Sequence, residues 1–70
     1  MDSTLVAYVA EAVESVRPGA YDYDRAADMA ANLLSISADV RHCAEAYGRE
    51  DPSPERAWAL LIGAVEAYLR

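Results

Sequence analysis

The sequence predicts an all-α fold, a small antiparallel three-helix bundle with a long central helix. Three observations support this prediction. Apolar residues recur every three or four positions through most of the chain, which is the period of an amphipathic helix. Two clusters of helix breakers, 17–19 and 48–54, divide the chain, and the residues between them include neither Gly nor Pro. Because both connections are short, consecutive helices should lie antiparallel in a single domain over residues 1–70.

The first helix is predicted from about residue 4 to residue 16. Asp2 or Ser3 precedes it as the N-cap, because a short polar side chain can accept hydrogen bonds from the first backbone N–H groups. β-branched residues give this helix only moderate intrinsic propensity, so it should depend on packing. The opposite face carries Ala7, Glu11 and Glu14. The expected core face consists of Val6, Val9, Val13 and Val16, flanked by Leu5 and Ala12.

The second helix is predicted from residue 23 to residue 47, with Asp22 as N-cap and Gly48 in the C′ position. Such a helix would be roughly 37 Å long at 1.5 Å per residue. Its weakest point is Ser35 to Ser37, where hydroxyl groups can compete for backbone hydrogen bonds. Without Gly or Pro there, a bend is expected rather than a break. The predicted core stripe consists of Ala26, Met29, Leu33, Ile36, Val40, Cys43 and Tyr47.

A second apolar strip lies about 150° around the same helix from the core stripe. The first and third helices are too short to cover the whole length of the second, so this strip is expected to bind another molecule. Self-association through helix two, giving a homodimer, is the simplest use of it, and Leu34 is its largest member. The strip consists of Ala27, Ala31, Leu34 and Ala38.

The third helix is predicted from residue 54 to residue 69. Ser53 is a cap residue, Pro54 suits the first helical position, and Glu55 places a carboxylate in the first turn. Leu60 lies at the boundary between the apolar and polar faces. The predicted apolar face consists of Ala57, Trp58, Leu61, Ile62, Val65, Tyr68 and Leu69.

No pattern of catalytic, metal-binding or cofactor-binding residues is expected. His42 and Cys43 are neighbours, and adjacent residues of a helix point about 100° apart, so they do not form a nucleophilic dyad. Cys43 falls on the core stripe, where a small buried thiol is the ordinary interpretation. Asp39 and His42 have the spacing of half a metal site, but both are expected to point outward. The sequence therefore predicts a protein that is not an enzyme and needs no cofactor.

The composition restricts the class of partner. The net charge of −6 opposes binding to nucleic acid and to anionic membranes, both of which require basic surfaces. No apolar stretch approaches the length of a membrane span, and no secretory signal is evident at the first residues, so a cytoplasmic location is expected. The single Cys43 excludes an internal disulfide, so a domain this small should gain stability from dimerisation or from a partner.

These observations favour a non-enzymatic module that binds a larger protein, possessing an acidic surface suited to a basic partner. One alternative is a phage-encoded inhibitor of a bacterial defence system, of the anti-CRISPR kind, whose acidic face occupies a basic nucleic-acid-binding groove. A second alternative is an adaptor or structural subunit of a larger assembly. Tyrosines are favoured at interfaces, which adds two aromatic residues to the candidates. The candidate partner-binding residues are Ala27, Ala31, Leu34, Ala38, Asp24, Asp28, Asp39, Tyr21, Tyr23 and Leu60.

Overall fold

A computed structural model describes residues 3–70 and contains α-helices only. They are α1 (Ser3–Val16), α2 (Tyr23–Ile36), α3 (Ala38–Gly48) and α4 (Pro54–Leu69). Since these residues include no β-strand, the all-α class is confirmed. The expected number of three helices is wrong, because the segment predicted as one long helix forms two. Asp2, one of the two N-cap candidates for α1, lies outside the described residues, and Ser3 is already the first residue of α1.

The break between α2 and α3 is at Ser37, whose backbone is extended with φ −124° and ψ 110°. The Ser37 backbone N–H donates a hydrogen bond to the carbonyl of Leu33 at 2.9 Å and closes α2. Its Oγ accepts a hydrogen bond from the backbone N–H of Val40 at 3.1 Å and opens α3. At an exposed helix start, water can accept hydrogen bonds from the first backbone N–H groups. Ser37 is only 3% exposed, so its hydroxyl accepts the hydrogen bond here instead. A capping serine thus breaks the helix without Gly or Pro, which corrects the expected bend.

The dimensions of the molecule agree with this break. The Cα trace extends 30 Å along its longest axis, less than the roughly 37 Å of a continuous helix over 25 residues. α1 contacts all three other helices, and it packs most extensively on α2 and α4. α3 packs mainly on α4, while α2 and α3 remain in contact beside Ser37. No helix within residues 3–70 is both long and apolar enough to cross a bilayer.

One cluster of buried side chains joins the four helices. The predicted valine face of α1 is confirmed at its centre, where Val9 and Val13 are fully buried. α4 also buries most of its predicted apolar face, but Tyr68 is 49% exposed, so its placement in the core was wrong. The buried cluster consists of Val9, Ala10, Ala12, Val13, Ala26, Ala30, Leu33, Leu34, Val40, Ala44, Leu61, Ala64, Val65 and Leu69.

The buried face of α2 lies between the two apolar strips predicted for it. Ala30, which belongs to neither strip, is fully buried at the centre of this face. Leu34 is 4% exposed and Ile36 is 68% exposed, so the sequence prediction assigned these two residues the wrong way round. Both residues precede the break at Ser37, so the error lies in the face of α2 that was chosen as buried. The predicted stripe passes through Ile36 to reach Val40 in one helical register, whereas α2 and α3 each have their own register.

The N-terminal ends of α2 and α4 are built as predicted. An Asp22 carboxylate oxygen accepts a hydrogen bond from the backbone N–H of Arg25 at 2.9 Å. Ser53 Oγ accepts one from the backbone N–H of Arg56 at 3.2 Å, and Pro54 is the first helical residue. Both caps satisfy an N–H group that has no partner inside its own helix.

α3 ends at Gly48, one residue later than predicted, and its C′ position lies two residues later than predicted. The backbone N–H of Asp51 donates to the carbonyl of Ala46 at 3.0 Å, and that of Glu50 donates to the carbonyl of Tyr47 at 3.1 Å. These two bonds form a Schellman motif, in which Glu50 occupies the left-handed C′ position with φ 56°. Gly48, expected at C′, is instead the last residue of α3.

Candidate functional site

The two residues of α3 with possible nucleophilic or acid–base chemistry are His42 and Cys43. His42 is exposed, and Cys43 is partly exposed at the margin of the core rather than fully buried as expected. Burial raises the pKa of the Cys43 thiol, and the nearby Asp39 carboxylate raises it further. A raised pKa keeps the thiol protonated near neutral pH, and the protonated form is a poor nucleophile. Asp39 is also exposed, and the described part of the chain holds no group of three or more His, Cys, Asp or Glu arranged for a metal ion.

The predicted binding strip of helix two is not one continuous surface. Ala27 and Ala31 are half-buried, Leu34 belongs to the core, and Ala38 lies beyond the break at the start of α3. The buried position of Leu34 corrects its assignment as an accessible contact residue. Self-association of the chain stays a prediction, but this strip does not provide the apolar contact on which it depended.

The three predicted acidic residues are exposed on α2 and α3. Asp24 and Asp28 are one helical turn apart on α2, and Asp39 is in the first turn of α3. Within residues 3–70 one ion pair forms, between Arg70 and Glu66 at 3.5 Å. None of these three aspartates is therefore paired with a basic side chain in this range. Asp39 lies beyond the break at Ser37, so the three carboxylates belong to two helices, and we refer to them together as the acidic face.

The predicted aromatic and aliphatic contact residues differ in exposure. Tyr23, in the first turn of α2, is 58% exposed, whereas Tyr21 is half-buried and packs against the core. Leu60 is 48% exposed on α4. Ile36 belongs with the exposed residues, although the sequence prediction placed it in the core. Tyr23 and Asp24 are thus exposed neighbours at the start of α2, and tyrosine is a residue type enriched at protein interfaces.

A groove of about 470 Å³ is the feature that sequence reasoning missed. Its walls come from the C-terminal half of α1, from the loop that follows it, and from α4. The groove is lined by Glu11, Glu14, Ser15, Pro18 and Trp58, and we call it the Trp58 groove. The spacing of Glu11, Glu14 and Ser15 places them on one side of a helix, which was readable from the sequence. Nothing in the sequence pattern placed Trp58 beside them.

Trp58 is the last of three aromatic rings that contact one another in series, which we call the aromatic series. The centroid of its ring system lies 5.3 Å from that of Tyr47 on α3, with a tilt of 48° between the planes. The Tyr47 ring in turn meets the Tyr8 ring of α1 edge to face, at 5.0 Å and 87°. Such edge-to-face and tilted pairs are favourable geometries, so the rings link α1, α3 and α4 and fix the position of Trp58.

Gly48 lies against the Tyr8 ring where α3 contacts α1. A Cβ atom at this position would lie 3.2 Å from Cε2 of Tyr8, closer than ordinary van der Waals contact. Gly48 therefore leaves room for the ring that begins the aromatic series, which gives this glycine a packing role in place of the expected turn role.

Comparisons of the chain with models of protein families, with curated proteins and with solved structures found no match.

Proposed function

We propose that this protein is a non-enzymatic interaction module that binds a larger protein through a basic surface of that partner. The observation that carries the proposal is the acidic face, defined above by Asp24, Asp28 and Asp39, whose carboxylates are exposed and are not paired with a basic side chain among residues 3–70. Unpaired exposed carboxylates on a chain of net charge −6 attract a basic surface and accelerate its association.

Tyr23 adds a contact that does not depend on charge. More than half of its surface is exposed. It lies directly beside Asp24, at the start of a helix that Asp22 caps. A tyrosine ring can bury considerable area on binding while losing few rotamers, which is why tyrosine is common at binding hot spots. Charge on the acidic face would then increase the association rate, and Tyr23 would contribute to the lifetime of the complex.

The test is affinity capture from the lysate of the source organism with quantitative mass spectrometry, comparing the wild type with Asp24→Asn, Asp28→Asn and Asp39→Asn combined. Each exposed ion pair contributes roughly 0.2–1 kcal/mol, so losing three should weaken the complex by roughly 0.6–3 kcal/mol. This corresponds to about a 3- to 150-fold loss of affinity, and raised salt should weaken the wild-type complex in the same direction.

The matched control combines Glu45→Gln, Glu55→Gln and Glu66→Gln, which changes the net charge equally but leaves the acidic face intact. The proposal requires that the control retain the partner that the triple Asn variant loses. Equal retention by both variants, or equal loss from both, would show that the acidic face is not the binding surface.

A phage-type inhibitor that occupies a basic nucleic-acid-binding groove is a particular form of the same proposal. The shared feature is an acidic protein surface facing a basic one, and competition separates the two. An inhibitor of this kind is displaced from its partner by the nucleic acid that the partner binds, whereas an adaptor remains bound in its presence.

A further inference from the structure

We infer that the Trp58 groove binds an arginine side chain presented by a partner peptide. The groove is separate from the acidic face of α2 and α3, so the inference goes beyond the proposed function and is tested independently of it. Its basis is the combination in one concave surface of two carboxylates and a partly exposed indole ring, which packs against the ring of Tyr47.

The charge of the groove selects a cation. Glu11 and Glu14 both line it, and neither is paired with a basic side chain in the part of the chain that the structure describes. Two unpaired carboxylates on one wall repel an anion, and an apolar occupant would remove water from them without replacing its hydrogen bonds. A cation that donates hydrogen bonds satisfies both groups.

The aromatic wall selects a guanidinium group among cations. A tryptophan ring is the best aromatic partner for a cation, and arginine takes this position more often than lysine. The guanidinium group is planar and weakly hydrated, so it can stack on an indole while its edge donates two parallel hydrogen bonds to a carboxylate. A lysine ammonium group is compact and strongly hydrated, and it cannot stack in this way.

The groove is open to solvent and has a volume of about 470 Å³. An arginine side chain can therefore enter it from a peptide whose backbone runs along the surface. The polar hydroxyl of Ser15 and the ring of Pro18 form the rest of the lining, where the backbone next to the arginine would lie. Because Tyr47 and Tyr8 already fix Trp58, binding requires little reorganisation of the wall.

Trp58 is the only tryptophan in the chain, so its fluorescence and its indole N–H proton resonance report on this groove alone. The probe is Nα-acetyl-arginine amide, and the comparison probes are the corresponding citrulline and lysine amides. Citrulline has the shape of arginine without its charge. We expect a saturable change with the arginine probe, with a dissociation constant on the order of millimolar, and about tenfold weaker binding of citrulline. Lysine should bind about threefold more weakly than arginine.

The site is then tested with the double variant Glu11→Gln and Glu14→Gln, which should bind the arginine probe about tenfold more weakly. Its matched control is Glu55→Gln and Glu66→Gln, which has the same net charge and should bind within about twofold of the wild type. Circular dichroism of both variants establishes that they remain folded.

Several outcomes overturn the inference. One is the absence of a saturable change in both the fluorescence and the indole resonance up to about 50 mM arginine probe. Binding of the citrulline or the lysine probe as tight as that of the arginine probe contradicts the guanidinium assignment. If the two double variants weaken binding of the arginine probe equally, the effect depends on net charge and not on the groove. Because the acidic face is intact in all of these variants, failure here leaves the proposed function standing.

Discussion

The break at Ser37 can be tested with a single substitution, Ser37→Ala. The substitution removes the hydroxyl that accepts the hydrogen bond from the backbone N–H of Val40, and alanine offers no replacement. Loss of a serine N-cap costs about 0.5–2 kcal/mol of stability. Ser37 is only 3% exposed, so water cannot reach the orphaned N–H freely, and a buried unsatisfied donor costs about 1–3 kcal/mol. These two figures describe the same lost bond, and the range that they share sets the expected destabilisation at about 1–2 kcal/mol.

The matched control is Ser35→Ala, since Ser35 lies two residues earlier in α2 and is exposed. Alanine has a higher helix propensity than serine, so this change should leave stability unchanged or raise it by about 0.5 kcal/mol. Thermal unfolding followed by circular dichroism measures both variants. In a domain of this size 1 kcal/mol corresponds to about 4–8 °C, so Ser37→Ala should lower Tm by roughly 4–16 °C.

The result that would refute the break is equal or greater stability of Ser37→Ala together with increased helix content. A capping serine that is removed from a genuine helix boundary cannot produce that result, because one N–H loses its partner. If α2 and α3 were one continuous helix, Ser37 would be an interior residue, and its replacement by alanine would strengthen the helix as Ser35→Ala does.

Three further predictions follow from the burial, backbone geometry and ionisation of single residues. Leu34→Ala should lower the free energy of unfolding by about 2–5 kcal/mol because Leu34 is in the core, whereas Ile36→Ala should lower it by less than about 1 kcal/mol. If urea denaturation ranked the two variants in the opposite order, Ile36 rather than Leu34 would be the core residue, as the sequence stripe predicts. Glu50→Gly should raise stability by about 0.5–1 kcal/mol because Glu50 has φ 56°, and Glu50→Ala, which keeps the Cβ atom, should not reproduce the gain in Tm. Because burial and Asp39 raise the pKa of Cys43, alkylation of its thiol by iodoacetamide should require a higher pH than alkylation of an unfolded cysteine peptide. Asp39→Asn should shift the pH dependence of the alkylation rate only partly towards that of the peptide, since burial is the larger cause. A pH dependence equal to that of the peptide would contradict the raised pKa.

The parts of this fold that could be predicted are those that depend on interactions between residues close together in the sequence. Asp22 and Ser53 were recognised as caps because a short polar side chain before an amphipathic segment acts on its own first turn, and the structure has both bonds. The break could not be located in the same way. Ser35 and Ser37 offer the same hydroxyl, and only the packing of the core makes one of them exposed and the other a buried cap.

The candidate site was less predictable because its residues come from different helices. The exposed positions of Asp24 and Asp28 follow from the helical period within α2 alone. The Trp58 groove, in contrast, depends on how α1 and α4 pack, and a tryptophan on an apolar helix face is usually interpreted as core. The period places Trp58 correctly on that face, but it does not show that the ring reaches the edge of the core beside Glu11 and Glu14.

The helix break and the groove are physically linked through Tyr47. If α2 continued through Ser37, the position of the Tyr47 ring would be set by the register of α2, which packs on α1. Because the chain is broken there, α3 packs mainly on α4, and Tyr47 meets both Tyr8 and Trp58. Fusion of α2 and α3 would therefore move Tyr47 away from Trp58 and change the indole emission without any ligand. Retention of the wild-type emission maximum by folded Ser37→Ala would indicate that the aromatic series, rather than the cap alone, holds α3 in place.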